Sequence, residues 1–183
     1  ALHKGSEELR VPIRAVVGKP STEWIAGPDD FVPLTLNASR SGRLESILEI
    51  GCGDSFLSAD LYDALERRSS IIVVDISEVA LCRQRENFAR TRPGLSYLCG
   101  DATNLRELFD DGSFDLIVDK GMADTLQFRA KTRHVRALRR ALFAEVFRLL
   151  APGGAYVMTT PKATPSFLAS VPWARRERML LAE

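Results

Sequence analysis

Apolar and polar residues along this chain follow two alternating periods. Short, nearly continuous apolar runs at 46–50, 71–75, 95–99, 114–119 and 154–160 have the length and β-branched content of buried strands. Between them, apolar residues recur every three or four positions: Leu57, Leu61, Ala64 and Leu65, then Val79, Leu81, Cys82 and Phe88, then Val135, Leu138, Leu142, Val146 and Leu149. This spacing predicts helices after residue 56, over 78–90 and over 133–150. Arg92-Pro93-Gly94 and Pro152-Gly153-Gly154 are stops for the second and third, and Asp54 or Ser55 is placed to cap the first. Strand and helix in alternation predict an α/β domain built on a mostly parallel sheet, with helices on both faces.

The pattern weakens before residue 45, where Pro12, Pro20, Pro28 and Pro33 interrupt any long period. The stretch TEWIAGPDDFVPLTLNAS has room for one short helix. Residues 1–20 read as a mobile arm or lid, ahead of a domain spanning 21–183.

The candidate chemistry lies where strands end. In SILEIGCGDS, an apolar run closed by Glu49, itself a candidate for cofactor binding, is followed by Gly51 and Gly53, which let the backbone turn sharply and approach a ligand closely. The next strand ends in Asp75, 24 residues after Gly51, where a carboxylate can accept both hydroxyl protons of a ribose. A dinucleotide fingerprint wants a third glycine at position 56 and a phosphate seat at the helix start. The chain has Phe56 there, and Asp54 at the helix start repels phosphate. A ligand bearing a sulfonium or ammonium suits the site better, which points to S-adenosyl-L-methionine and away from NAD.

Later strand ends add Asp101, Asp119 and a second carboxylate, Asp124. Asp101 is placed to accept from an adenine amine, or to cap a helix beginning near Thr103. The amide of Ala102 can face a ring nitrogen, and Ile76 or Leu105 can sandwich the base. Asp119 is expected beside the methionine half of the cofactor and Asp124 within reach of a substrate. The plainer reading makes each acid a turn former, a cap or the partner of Lys120 or Arg129.

Composition adds limits more than direction. The 183 residues carry a formal net charge of +1, which names no nucleic-acid or membrane partner. A local run of Arg129, Lys131, Arg133, Arg136, Arg139 and Arg140 reads as a solvated helix face, or else a surface for an acidic protein or RNA. Cys52, Cys82 and Cys99 are odd in number with no C-x-x-C pair, so reduced thiols in a cytoplasmic compartment are expected. His134 has no spaced partners to make a metal site or a catalytic triad. No membrane-length apolar stretch is present, and ALHKGSEELR does not resemble a signal peptide.

Taken together, EIGCGDSFLSADLYD, VVDISEVALCRQREN, RPGLSYLCGDATNL and SFDLIVDKGMADTL resemble the seven-strand, class I S-adenosylmethionine-dependent methyltransferases. The DKG strand end narrows the resemblance to the methyltransferase-like group that methylates lysines of translation elongation factor 1-alpha and, in a mitochondrial branch, citrate synthase. The resemblance implies a Rossmann-like fold, a protein substrate, and methyl transfer to a lysine amine by in-line displacement. It assigns Gly51, Gly53 and Asp54 to the cofactor turn, Asp75 to the ribose, Asp101 and Ala102 to the adenine, and Asp119 to the methionine end. Trp24 matches an aromatic that closes over the cofactor, while Asp119 and Asp124 are the candidates to orient the amine and take its proton.

The chain departs from the family in three places. Met122-Ala123-Asp124-Thr125 follows DKG where relatives carry Thr-Leu-Asp-Ala, the N-terminal Tyr-Trp-Asp signature is absent, and residues 161–183 are short for the last two strands. An edge strand from Trp173 or a terminal helix is expected there, with the final strand or hairpin missing. RNA or small-amine methylation, or a catalytically silent methyltransferase-like subunit, are the alternative functions.

Overall fold

The computed structural model describes residues 13–17, 28–38, 44–129, 132–160 and 180–181. Twelve elements follow one another: β1 (Ile13–Val17), α1 (Pro28–Ala38), β2 (Ser46–Ile50), α2 (Leu57–Ala64), β3 (Ser70–Asp75), α3 (Glu78–Phe88), β4 (Leu95–Cys99), β5 (Phe114–Lys120), α4 (Met122–Arg129), α5 (Thr132–Leu149), β6 (Leu150–Thr159) and β7 (Leu180–Leu181). The strands form one sheet in the order β4-β3-β2-β5-β6-β1-β7, and every strand pairing within it is parallel. Strand order runs outward from β2 toward β4 and outward again through β5. The reversal between β2 and β5 therefore opens a crevice at the carboxyl ends of those strands.

Both faces of the sheet are apolar because successive side chains of a strand point to opposite sides. Leu48, Ile50, Ile117 and Tyr156 pack under Leu126, Leu142, Phe143 and Val146 of α4 and α5. Ile47, Ile71, Val73 and Val118 pack under Phe31, Leu57, Leu61 and Leu81 of α1, α2 and α3. The result is a three-layer α/β fold, as the alternating pattern predicts.

Several boundaries differ from expectation, each for a local reason. On α3, Val79 is 63% exposed and Cys82 is exposed, whereas Ala80, Leu81 and Gln84 are buried, so the helix presents a different stripe to the sheet. Ala64 and Cys99 are exposed as well. No helix begins near Thr103; Asp101 bridges to Asn104 and its carboxylate accepts from the Thr103 amide (2.9 Å) and hydroxyl (2.8 Å), closing a tight turn. Helix α4 arises in the segment read as a strand end followed by an acid. Ser55 does accept an amide at the start of α2, from Leu57 (3.2 Å), while Asp54 faces outward.

At the far side of β6, a parallel strand from the N-terminal segment, β1, occupies the neighbouring position, with Ile13 opposite Tyr156 and Val16 opposite Thr159. Five residues of the segment expected to be an arm thus join the sheet, and Leu180–Leu181 pair beyond it. Trp24, Lys131 and Trp173 lie outside the described residues. Of the basic cluster, Arg136 and Arg140 stand exposed on α5 and Arg139 is half-buried. Among the described residues no helix is long and apolar enough to cross a membrane, and no group of three or more His, Cys, Asp or Glu is placed to hold a metal.

The loop between β4 and β5 forms part of the crevice wall and is pinned from α5. Glu145 accepts from the Leu105 amide (3.0 Å) and from Arg148 (2.8 Å), and Arg148 also bonds the Phe109 carbonyl (2.9 Å) and Asp111 (2.8 Å). Burial raises the Glu145 pKa, but the bonds from Arg148 and the Leu105 amide outweigh it and hold the carboxyl below its ordinary 4.5. Arg148→Ala takes the nearer guanidinium from this carboxylate, 8% exposed, leaving only the exposed Arg106 at 3.8 Å, and should cost about 3 kcal/mol in urea unfolding at pH 7. A group with a depressed folded pKa stabilises above its unfolded value, so the deficit should narrow as pH falls below 4.5.

Candidate functional site

The crevice is built around the turn that follows β2. Gly51 and Gly53 adopt φ of +71° and +50°, in the left-handed region that favours glycine. At Gly51 there is a second reason, since a Cβ would stand 2.4 Å from the Met122 Cγ of α4. At Gly53 a Cβ would meet nothing within 4 Å, so the requirement there is conformational and the backbone is left open to the crevice. The Gly51 amide donates to the Val74 carbonyl at 2.7 Å, and the Gly53 amide donates to Asp75 Oδ2 at 2.9 Å. The other oxygen of Asp75 accepts from the Ser77 amide (2.8 Å) at the start of α3. The Cys52 thiol also donates to Oδ2 at 3.7 Å; a carboxylate offers about four lone-pair sites, so Asp75 retains acceptor capacity on Oδ1 toward the crevice while fixing both turns.

The cavity has a volume of about 570 Å³, within the range of small-molecule sites. Gly51, Gly53, Asp54, Asp75, Ile76 and Ala102 all line it, so six of the sequence candidates come together. Ile76 is 56% exposed, an apolar side chain held at the rim where a flat ring could cover it. Asp54 projects to solvent and meets Arg83 at 3.0 Å.

Glu49, Asp101, Asp119 and Asp124 do not line the cavity. Glu49 is 1% exposed, on the face of β2 that packs against α2. Burial pushes its pKa to about 7, partly opposed by Ser58 and the charge of Lys120. Ser58 is near enough to favour the charged form, yet neither carboxylate oxygen has hydrogen-bond geometry with it. Asp119 is fully buried on the opposite face, and burial likewise raises it to about 7. It accepts from the Tyr156 hydroxyl (2.7 Å) and the amides of Met122 (2.6 Å) and Ala123 (3.2 Å), which caps α4. Asp124, 2% exposed, lies in the same helix and adds to the raised Asp119 pKa.

Lys120, Met122 and Thr125 are among the crevice residues that were not singled out from the sequence as ligand contacts. Lys120 ends β5 and donates to Ser55 Oγ at 3.3 Å, placing a cation on the β5 side of the cavity, while Ile76 and Ala102 follow β3 and β4 on the other side of β2. The alternation of β5 carried the signal, because Val118 and Lys120 share the face of Glu49. Met122 and Thr125 needed knowledge of α4, which the acid-rich string concealed.

Residues 47–154 match a family model described as a methyltransferase domain. Among curated proteins, the chain is 40% identical over 113 residues to the eEF1A lysine and N-terminal methyltransferase of Homo sapiens, covering 62% of this chain and 16% of that protein. It thus spans about one-sixth of that relative's length. Over 154 residues it is 30% identical to the mitochondrial citrate synthase-lysine N-methyltransferase of Homo sapiens, covering 75% of this chain and 61% of the relative. A solved S-adenosylmethionine-dependent methyltransferase from Mesorhizobium loti superposes with a TM-score of 0.50 at 26% identity, covering 72% of this chain and 55% of that one.

The buried carboxyl beneath the turn gives a direct test. A group whose folded pKa is raised opposes folding increasingly as pH climbs from the unfolded value, 4.5, to the folded value near 7, and by a constant amount above it. Glu49→Gln should therefore raise stability by on the order of 3 kcal/mol at pH 8 and change it little at pH 4, in paired urea titrations. Equal effects at the two pH values would contradict the burial argument.

Proposed function

The chain belongs to the methyltransferase-domain family, in which S-adenosylmethionine is the methyl donor, and from that premise we propose that it methylates the side-chain amine of a protein lysine. The observation that carries the reading is the order of chemistry along the strand ends. An apolar rim at Ile76 and Ala102, a carboxylate at Asp75, an open glycine backbone and a cation at Lys120 line one cavity. A donor with a flat base, a ribose diol and an amino-acid carboxylate presents the complementary groups in that order.

In this reading Ile76 and Ala102 flank the adenine and the Ala102 amide faces a ring nitrogen. Asp101 holds the turn that presents Ala102, through its bonds to Thr103. Asp75 accepts from the ribose hydroxyls with its remaining lone pairs, and Lys120 faces the α-carboxylate. Asp54, in place of a phosphate seat, favours a cationic ligand over a dinucleotide. The donor, when bound, supplies a methyl group made electrophilic by its sulfonium, open to in-line displacement by an amine.

Lysine has a reference pKa of about 10.4, so the nucleophile must arrive without its proton. Desolvation against the apolar side chain of Met122 lowers that pKa. Asp119 acts by capping α4, the helix that carries Asp124 and the lining residues Met122 and Thr125. The names of the curated relatives make elongation factor 1-alpha the first substrate to try.

The test uses recombinant protein and labelled donor. S-adenosylhomocysteine should bind in calorimetry, and Asp75→Ala should weaken that binding at least tenfold through loss of charge-assisted hydrogen bonds. Label from a lysate should be recovered on lysine. Parental affinity in Asp75→Ala removes the site assignment, and label confined to RNA or small metabolites removes the protein-lysine reading.

A further inference from the structure

Gln84 is a buried amide that the reaction itself does not use. It sits on α3 at 2% exposure, where a polar side chain needs partners to offset lost hydration. Its amide nitrogen donates to the Gly53 carbonyl (3.2 Å) and to the Ser55 carbonyl (2.6 Å), 31 and 29 residues earlier in the chain. Two carbonyl acceptors require the nitrogen, so the orientation follows from the chemistry of the neighbours. The Oε1 atom is left buried without a hydrogen-bond partner. A Leu or Met would fill the same space without stranding an acceptor, so the two donors are what the amide adds at this position.

Those donors act on a segment that has little packing support on one side. Gly53 holds a left-handed φ, and on its side-chain side no atom lies within 4 Å of where a Cβ would be. Hydrogen bonds therefore fix its peptide groups: its N–H is held by Asp75 (2.9 Å) and its C=O by Gln84. Ser55, the second residue held, also receives the Lys120 ammonium on its hydroxyl (3.3 Å). Outside the turn, Arg83 of the same helix meets Asp54.

We infer that Gln84 is a positioning residue that clamps the Gly53–Ser55 segment from α3 in the geometry the donor needs, so that binding does not have to order the turn. This rests on the function proposed above. A turn already fixed costs less to occupy, so the clamp acts on donor affinity through Gly53 and Ser55 and touches neither substrate nor donor.

The test compares the parent with Gln84→Met, which keeps volume and removes both donors, and Gln84→Glu, which donates only when protonated. Amide hydrogen exchange without ligand should quicken over residues 53–57 in Gln84→Met, and its Kd for S-adenosylhomocysteine should rise about tenfold at a temperature where both proteins are folded. Gln84→Glu should bind more weakly at pH 8 and regain part of the deficit relative to the parent at pH 5, since a neutral carboxyl donates one O–H. A role confined to stability would shift melting temperature alone. Unchanged exchange and affinity in Gln84→Met, or a Gln84→Glu deficit that is the same at both pH values, overturns the inference. If Gln84→Met does not fold, the pH response of Gln84→Glu decides. Should the parent bind no S-adenosylhomocysteine, the proposed function fails, while the exchange comparison still decides whether Gln84 holds the turn.

Discussion

One carboxylate joins the parts of this molecule that a ligand would touch. Asp75 ends β3, accepts the Gly53 amide from the turn after β2 at 2.9 Å, and accepts the Ser77 amide at the start of α3 at 2.8 Å. Two neighbouring βα units are thereby fixed to each other at the edge where strand order reverses. The arrangement depends on registry, because β2 and β3 pair from Ser46 opposite Ser70 to Ile50 opposite Val74. A slip of one residue would turn the apolar set of β2 to the wrong face and carry the glycine turn out of reach of the acid.

Around that junction the protein keeps two further carboxyls on opposite faces of the sheet, both raised by burial to about 7. Their settings differ. Asp119 is engaged by a tyrosine hydroxyl and two helix amides, so its oxygens determine where α4 begins. Glu49 lies under the turn with only Ser58 and the Lys120 charge to temper it. Each opposes folding increasingly from the unfolded carboxyl range up to neutrality and by a constant amount above it, and Asp119 supports a wall of the crevice by capping α4. Stability is thus given up beside the site, a pattern common where a protein must hold an unusual local geometry.

The wall on the adenine side is held at longer range. Glu145 and Arg148 on α5 reach the backbone of the loop that follows β4, so the position of Ala102 depends on a helix more than forty residues further along the chain. On the other side, α4 packs so closely that Met122 would collide with any side chain at Gly51. Two helices on one face of the sheet, α4 and α5, therefore set the width of one cavity.

The sequence by itself determined the alternation of strand and helix, the glycine turn, Asp75 with its spacing from Gly51, and the resemblance that the family match bears out. These were legible because each depends on local periodicity or on residues close in sequence. Tertiary structure decided which acids face the cavity and which are buried beneath it. Asp75, Asp101 and Asp119 look alike as strand-end carboxylates, but alternation about β5 and the start of α4 send Asp119 inward and leave the half-buried Lys120 lining the cavity. Gln84 could not be found by pattern at all, since nothing in the spacing of α3 marks a polar residue on its buried stripe. Its partners lie about thirty residues away, and only the folding of α3 against the turn brings its two donors to them.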